Sequence, residues 1–342
     1  MHRFVRHQLF WPLVALAMLL LVNAVAAPSF FSLRIQDGHL YGSLIDVLRN
    51  GAPTLLIALG MTLVIATRGI DLSVGAIVAI SGAVTCTYIS GSHEGGAARA
   101  IIAMSIAVGV CVLLGLWNGF LISVIGIQPI IATLVLMTAG RGLAMLITGG
   151  QIITVHNSVF TGVGTGFFLT LPIAILIAMA VFAVTAVLTR RTALGMLIEA
   201  VGINPEASRL AGVRARTITW TVYVFVAFCA GIAGLMIASN TSAADANNAG
   251  LFIELDAILA VVIGGTSLAG GRFSLTGTLI GALFIQTLAT TIPTIGIPAE
   301  ANYLFKAVAV ILVCLLQSPK ARAAISLRSG RLVPTTATGG LA

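Results

Sequence analysis

Hydrophobic residues run through this chain in long stretches that are separated by short polar connections. A bilayer core of ~30 Å takes roughly 20 apolar helical residues, and broken or tilted helices depart from that length by several residues. By this measure the pattern predicts ten transmembrane segments, at approximately 9–27, 52–67, 72–90, 100–125, 128–148, 167–188, 217–238, 254–270, 275–293 and 302–317. The gaps at 67–72 and 270–275 are very short, so two of the ten segments are candidates for half-helices.

The first stretch also has features of a secretion signal. Arg3 and Arg6 precede it, and it ends in Ala24-Val25-Ala26, which resembles a signal-peptidase site. The stretch is long for a signal, however, and a chain with nine later spans needs no separate secretion signal. We therefore expect a retained first span, with a cleaved signal as the alternative.

Composition agrees with the hydrophobic pattern. Of the 342 residues, 58% are hydrophobic and only 8% charged, whereas a soluble domain carries about a quarter charged residues. Lipid must therefore be the solvent for most of the surface, which excludes a soluble enzyme, a soluble nucleic-acid binder and a disordered scaffold. The predicted fold is an all-α integral membrane protein, with residues 1–342 as a single polytopic bundle of about ten helices, some of them broken or half-spanning.

Basic residues indicate the orientation of the spans. With the N-terminus in the cytoplasm, thirteen of the eighteen fall inside, three fall outside and two lie within spans, as the positive-inside rule requires. The inside set is Arg3, Arg6, Arg68, Arg190, Arg191, Arg209, Arg214, Arg216, Arg272, Lys320, Arg322, Arg328 and Arg331. We therefore predict that both termini are cytoplasmic, with 318–342 as a tail. The net charge of +8 then reflects the cytoplasmic face and not a nucleic-acid partner.

Ionisable and catalytic residues are scarce in the predicted spans. Arg141 and Lys306 are the only clear internal charges, and we interpret Arg141 as turned into the bundle or snorkelling, and Lys306 as a helix end reaching for headgroups. No phosphate-binding loop or hydrolase motif is present, and the four cysteines lie singly in apolar runs. We expect no enzymatic activity, no metal and no cofactor in this chain, so energy for uphill transport must come from another subunit.

The longest predicted cytoplasmic connection, 189–216, carries the sequence of a short capped helix. Asn204 is a good N-cap, Pro205 suits the first helical position, and Gly212 suits the C-terminal cap. The sequence predicts a helix over 205–211, and small residues would let another protein approach it closely. They are Ala207, Ser208 and Ala211.

Three blocks of the chain resemble the ribose-type sugar permeases, which are the membrane subunits of ABC importers. They are the loop from Glu199 to Gly212, the run from Glu254 to Gly271, and Gly69-Ile-Asp71-Leu-Ser73-Val-Gly75. Within that family, the stretch Asp245-Ala-Asn247-Asn248-Ala-Gly250 is most similar to galactofuranose permeases.

The resemblance implies a bacterial inner-membrane importer for galactofuranose, galactose, ribose or a related sugar. It implies an ATPase subunit that binds ATP and receives the loop in a groove, a periplasmic sugar-binding protein, and a second permease chain. Together with the capped helix, it assigns coupling to the ATPase to seven residues: Glu199, Gly202, Asn204, Pro205, Ala207, Ala211 and Gly212.

The glycine-rich blocks predict interrupted helices, because each glycine in a regular helix costs about 1 kcal/mol. Backbone that is not helical survives at membrane depth only where protein buries it or where it lines a cavity. These gating or broken-helix candidates are Gly69, Asp71, Ser73, Gly75, Gly264, Gly265, Thr266, Ser267, Gly270 and Gly271. Close packing of small residues between regular helices is the alternative.

A sugar path needs neutral amides and hydroxyls that can hydrogen-bond to the solute. The candidates in the spans are Asn118, Asn240, Gln286 and Thr133, with Trp117 as a stacking face; bonding within the helices is the alternative for each. A self-sufficient facilitator or an ion-coupled carrier is the alternative function, and an intramembrane enzyme is poorly supported because no ionisable residues are paired at a catalytic spacing.

Overall fold

The structure is a computed structural model that describes residues 9–36, 38–91, 96–298 and 301–317. Thirteen α-helices dominate these ranges. They are α1 (Phe10–Ala26), α2 (Ser43–Ala66), α3 (Val74–Ser90), α4 (Ala97–Phe120), α5 (Pro129–Thr148), α6 (Ser158–Thr165), α7 (Ile173–Arg191), α8 (Leu194–Ile203), α9 (Pro205–Leu210), α10 (Ala215–Thr241), α11 (Ile253–Ile263), α12 (Leu275–Thr294) and α13 (Asn302–Gln317).

Each of the ten predicted apolar segments coincides with one of these helices. Six helices in the described part of the chain are long and apolar enough to cross a membrane: α2, α4 with its π-helical extension to Ile125, α5, α7, α10 and α12. The mainly helical membrane fold expected from the sequence is therefore confirmed, while the number of crossings stays a prediction.

Three predicted segment boundaries were wrong. The segment placed at 52–67 begins nine residues earlier, because α2 continues through the polar turn around Asp46 and Arg49. The segment placed at 167–188 starts with a hairpin, and its helix begins only at Ile173. The segment placed at 254–270 ends at Ile263, because the glycines that follow it leave the helical conformation.

Short strands modify the all-α expectation. Three two-stranded antiparallel ladders pair β1 (Arg34–Gln36) with β2 (His39–Tyr41), β3 (Ile153–Thr154) with β6 (Ala243–Ala244), and β4 (Phe167–Phe168) with β5 (Leu171–Pro172). The amide of Leu40 donates to the carbonyl of Thr170 at 3.1 Å, which joins two of the hairpins at one end of the bundle. Helices α6 and α8 were also not predicted, since each is too short to stand out as an apolar segment.

Helix α2 lies at the centre of the bundle, where it packs against α10, α12, α11 and α7. It is the most deeply buried of the six long helices although its mean hydropathy, 1.4, is the lowest of them. Lipid is as apolar as leucine, so a helix gains nothing from being more hydrophobic inside the bundle than outside it, and close packing of small residues determines the centre. The more hydrophobic α4 and α7 lie mostly exposed at the periphery.

The arginines separate into two ends of the bundle. At one end, Arg68 bonds to the carbonyl of Ile203, and Arg190 donates to the hydroxyl of Thr276 at 2.9 Å. At the other end, Arg49 donates to the carbonyl of Gly164 at 2.9 Å. This relative separation agrees with the predicted sides of the membrane.

The two internal charges have partners within the protein. Arg141 is turned into the bundle, as expected, and donates to the carbonyls of Ala246 and Ala249 at 3.0 and 2.7 Å. Lys306 does not reach for headgroups as predicted, because it forms an ion pair with Asp256 at 2.6 Å between α13 and α11. The two side chains are 13% and 24% exposed, so losing either partner would leave a partly buried charge uncompensated.

Candidate functional site

Helices α8 and α9 form a helical loop at the arginine-rich end, which we call the α8–α9 unit (residues 194–212). Asn204 ends α8 and caps α9, and its side-chain oxygen accepts the amides of Glu206 at 3.1 Å and Ala207 at 3.0 Å. The predicted N-cap is therefore confirmed, and α9 begins at Pro205 as expected and ends at Leu210, one residue before the predicted end. Gly212 follows with a φ of +85°.

An ion pair also links the first and last turns of α9. Arg209 donates two hydrogen bonds to the carboxylate of Glu206, at 3.2 and 2.5 Å. These hydrogen bonds, and then the arginine charge, hold the pKa of Glu206 below its ordinary value. Both side chains are exposed, so the short helix presents one positive and one negative group to the solvent with no net charge from the pair.

The exposed surface of the unit differs in part from the one predicted. Ala207 and Ala211 are exposed as expected, whereas Ser208 is buried and donates to the carbonyl of Asn204 at 2.9 Å. Large apolar side chains that were not predicted to matter are also exposed here: Met196 (68%), Ile203 (59%) and Leu210 (76%). Apolar residues of the same unit such as Ile198 and Val201 are buried, so no local sequence signal distinguishes the three exposed side chains from them.

Gly202 is buried and not part of this exposed surface. A Cβ atom at Gly202 would lie 1.8 Å from the carbonyl oxygen of Ala66, the last residue of α2, and 2.7 Å from the amide nitrogen of Gly271. Only glycine permits so close an approach of three backbones. Gly202 therefore seats the α8–α9 unit on the membrane bundle and is not itself exposed to a partner, while its assignment to coupling stays a prediction. Glu199, one turn earlier on α8, is half-buried.

The segment after α11 is interrupted as its glycines predicted. Residues 264–274, which we call the glycine segment, lie between α11 and α12. Gly265, Gly270 and Gly271 have φ values of +86°, +84° and +90°, and a Cβ at Gly264 would lie 2.4 Å from the backbone of Gly277. The segment runs back to the end of α2, where the Gly271 amide donates to the Ala66 carbonyl at 2.9 Å. Thr266 accepts the Ser274 amide at 3.3 Å, and Ser267 accepts that of Ala269 at 3.2 Å.

A second interruption separates α2 from α3. Residues 67–73 are not helical, and Asp71 within them is buried, with only 1% of its surface exposed. Its carboxylate accepts the Ser73 amide at 2.9 Å and the Ser73 hydroxyl at 2.6 Å. Asn118 donates to the Ser73 hydroxyl at 3.0 Å, and Thr133 donates to the carbonyl of Ile70 at 3.3 Å.

These contacts bring two predicted path residues, Asn118 and Thr133, to the interruption at 67–73. The amide oxygen of Asn118 and the hydroxyl of Tyr223 are buried without a hydrogen-bond partner among the described residues. A buried amide oxygen without a partner is costly. Gly75 lies just beyond, where a Cβ would meet the carboxylate of Glu254 at 2.4 Å, and Gly69 packs against the Tyr223 hydroxyl.

The other predicted path residues lie apart from this cluster. Trp117 is 55% exposed on the outer surface of the bundle, whereas its neighbour Asn118 is buried. Gln286 is half-buried on α12 and packs against Gly51 of α2.

Asn240 lies at the opposite end from the α8–α9 unit and accepts a hydrogen bond from Arg49 at 2.5 Å. It borders a cavity of about 230 Å³ that is also lined by polar groups of Arg49, Asn50 and Thr241. Three of the five candidates, Trp117, Gln286 and Asn240, are thus not among the residues that contact the interruption at 67–73, and the path itself stays a prediction.

Interrupted helices buried in a polytopic bundle, with a capped helical loop at one end, define a membrane transport permease. The chain belongs to the family described as "Branched-chain amino acid transport system / permease component", which matches residues 43–314. It is a multi-pass protein of the bacterial inner membrane.

Individual relatives are more specific than the family description, because their names state the sugar that each one transports. The chain is 50% identical over 315 residues to the galactofuranose transporter permease protein of Escherichia coli (strain K12), an alignment that covers 91% of each chain. It is 42% identical to the fructose import permease protein of Bifidobacterium longum, covering 91% of this chain and 87% of that one. It is 36% identical to the ribose import permease protein of Haemophilus influenzae, covering 89% and 90%. No solved structure matches the chain significantly.

Proposed function

We propose that this chain is the transmembrane permease subunit of a bacterial ABC importer that carries a monosaccharide inward. The observation that carries the proposal is the α8–α9 unit, an exposed capped helix seated directly on two interrupted segments of the bundle. A short helix of this kind suits a docking element, because its capped backbone is rigid and its exposed apolar side chains offer a partner a buried contact. Family membership and the names of the relatives support the same function.

A sugar is preferred over a branched-chain amino acid as the substrate. The family description names branched-chain amino acids, but the relatives at 50%, 42% and 36% identity are permeases for galactofuranose, fructose and ribose. The predicted path residues Asn118, Thr133, Asn240 and Gln286 are neutral amides and hydroxyls, which suit sugar hydroxyls. Among the sugars, a galactofuranose or galactose type has the strongest support from identity, with fructose and ribose as further candidates.

The proposed assembly supplies what this chain lacks. An ATPase subunit binds ATP and receives α9, so the chain itself needs no cofactor and no enzymatic site. A periplasmic binding protein delivers the sugar at the end that carries Asn240, and a second permease chain completes the path. Trp117, on the outer surface of α4, then contacts either that second chain or lipid.

The proposed topology has ten crossings with both termini in the cytoplasm, and 318–342 as a cytoplasmic tail. It places the α8–α9 unit on the cytoplasmic side, where the ATPase works. The observed separation of Arg68 and Arg190 from Arg49 supports opposite sides for these residues. Cysteine-accessibility labelling at exposed Ala207 and at Tyr41 tests it, since the two positions should react from opposite sides.

Reconstitution tests the function. Proteoliposomes that contain the chain, the ATPase and the binding protein expected from neighbouring reading frames are loaded with ATP and offered radiolabelled galactose, ribose and fructose. We expect uptake of at least one sugar that requires both ATP and the binding protein. Sugar flux through the purified chain alone would support the carrier alternative and contradict the proposal.

A further inference from the structure

The C-terminus of α2 ends in a Schellman motif that has an unusual residue at its turning position. The amide of Gly69 donates to the carbonyl of Val64 at 2.9 Å, and the amide of Arg68 donates to that of Ile65 at 2.9 Å. Arg68 therefore occupies the position after the helix cap, with a φ of +64°. Glycine is usual there, because a side chain is disfavoured in the left-handed region.

The side chain of Arg68 makes contacts that account for this choice. Its guanidinium donates to the carbonyl of Ile203 at 2.5 Å, and Ile203 is the last residue of α8. A cation at a helix C-terminus satisfies a free carbonyl and interacts favourably with the helix dipole. The stem of the same side chain lies against Gly270, where a Cβ would approach the Arg68 Cγ to 2.4 Å.

The last carbonyl groups of α8 and α2 are therefore each capped by a residue from another part of the chain. Arg68 caps α8, and the amide of Gly271 caps α2 by donating to Ala66. Asn204, which follows Ile203 directly, caps α9. A displacement of α9 thus reaches the end of α2 through the Arg68 hydrogen bond as well as through the Gly202 contact, and from there it reaches the glycine segment through one backbone hydrogen bond.

We infer that Arg68 is a positioning residue that clamps the α8–α9 unit to the end of α2, so that a push on α9 moves α2 and the glycine segment together. The residue retains an unfavourable backbone conformation because its guanidinium carries this contact. The inference rests on the proposed function, in which α9 receives the push from an ATPase.

The variant Arg68→Gly distinguishes a loss of the clamp from a loss of folding stability. Glycine adopts the positive φ without strain, while the guanidinium that makes the contact is removed. The purified full-length chain should keep or raise its melting temperature. Amide exchange in peptides covering 199–212 should rise about fivefold, the factor expected for loss of one hydrogen bond. Arg68→Lys keeps the positive charge but lacks the planar guanidinium. Its amide exchange rate in 199–212 should lie between those of Arg68→Gly and the wild type.

Leu169→Gly is the matched control. Leu169 also has a positive φ, +57°, but lies exposed in the hairpin between β4 and β5, far along the chain from the clamp. Its replacement should leave exchange in 199–212 unchanged. In proteoliposomes with the ATPase and binding protein, Arg68→Gly should keep the ATPase bound but reduce ATP-dependent uptake of the transported sugar at least tenfold, while Leu169→Gly transports normally.

Three results would overturn the clamp. They are wild-type exchange in Arg68→Gly, normal uptake despite raised exchange, and a lowered melting temperature with exchange raised throughout the chain, which indicates a purely structural role. Exchange is measured on the permease without its partners. If the wild-type complex fails to take up sugar, that result counts against the proposed function. The clamp is then judged by the exchange measurement alone.

Discussion

Replacing Gly202 by alanine is the most direct test of how the α8–α9 unit is seated. The added methyl would lie 1.8 Å from the carbonyl oxygen of Ala66, which is short of ordinary contact at 3.4 Å by about 1.6 Å. Neither atom belongs to a flexible side chain, so α8 and α2 must separate. The added methyl would also lie 2.7 Å from the amide nitrogen of Gly271, so it disrupts the 2.9 Å hydrogen bond which that amide donates to Ala66.

The expected cost follows from these two effects. Overpacking of a well-packed contact costs about 1–3 kcal/mol, and loss of the buried backbone bond adds about 1 kcal/mol. We therefore expect Gly202→Ala to lose about 2–4 kcal/mol of stability, with a melting temperature in detergent roughly 3–6 °C lower. ATP-dependent uptake should fall more than the amount of folded protein does, because the surviving molecules have a displaced α8–α9 unit.

Gly142→Ala is the control for helix propensity. Gly142 also lies inside a helix, α5, but a Cβ there would meet nothing within 4 Å. This variant should be neutral or slightly stabilised. A Gly202→Ala protein that melts and transports like Gly142→Ala would refute the close backbone contact and the seating derived from it.

Three further predictions concern hydrogen bonds and charge. Asn204→Ala removes the N-cap of α9, which should destabilise that helix by about 1 kcal/mol. We expect weaker ATPase binding in a pull-down without a large change in melting temperature, whereas Asn204→Asp should preserve binding. Lys306→Met leaves the carboxylate of Asp256 unpaired in a site where the two side chains are 13% and 24% exposed, and should cost about 2 kcal/mol; adding Asp256→Asn should restore most of the melting temperature. Ser73→Ala removes a hydrogen bond to a carboxylate and the partner of Asn118, so a loss of about 2 kcal/mol in the free energy of unfolding is expected. An unchanged melting temperature would argue against that network.

Much of the fold could be predicted from the sequence because lipid imposes simple rules. Every apolar stretch is a helix, since backbone groups in a bilayer must bond within the segment. The glycines of 264–274 correctly indicated an interruption. The early start of α2 was missed, because Asp46 and Arg49 lower the local hydropathy although they continue the helix.

The candidate site was predictable where the information is local. The caps of α9 depend on Asn204 and its near neighbours, and local sequence was sufficient to identify them. The seating contact of Gly202 was missed because it depends on Ala66 and Gly271, which are remote in the sequence. Likewise, the ion pair of Lys306 joins residues fifty positions apart.

By itself, the sequence determined the solvent, the helical segments, the interrupted blocks and the capped loop, because each follows from hydropathy or from contacts within one turn. Tertiary structure alone decided which helix lies at the centre and where the α8–α9 unit meets the bundle. The physical reason is that lipid and protein interior are equally apolar, so hydropathy does not distinguish them. Only the fit of small residues at close approach does, and that fit exists once the helices have packed.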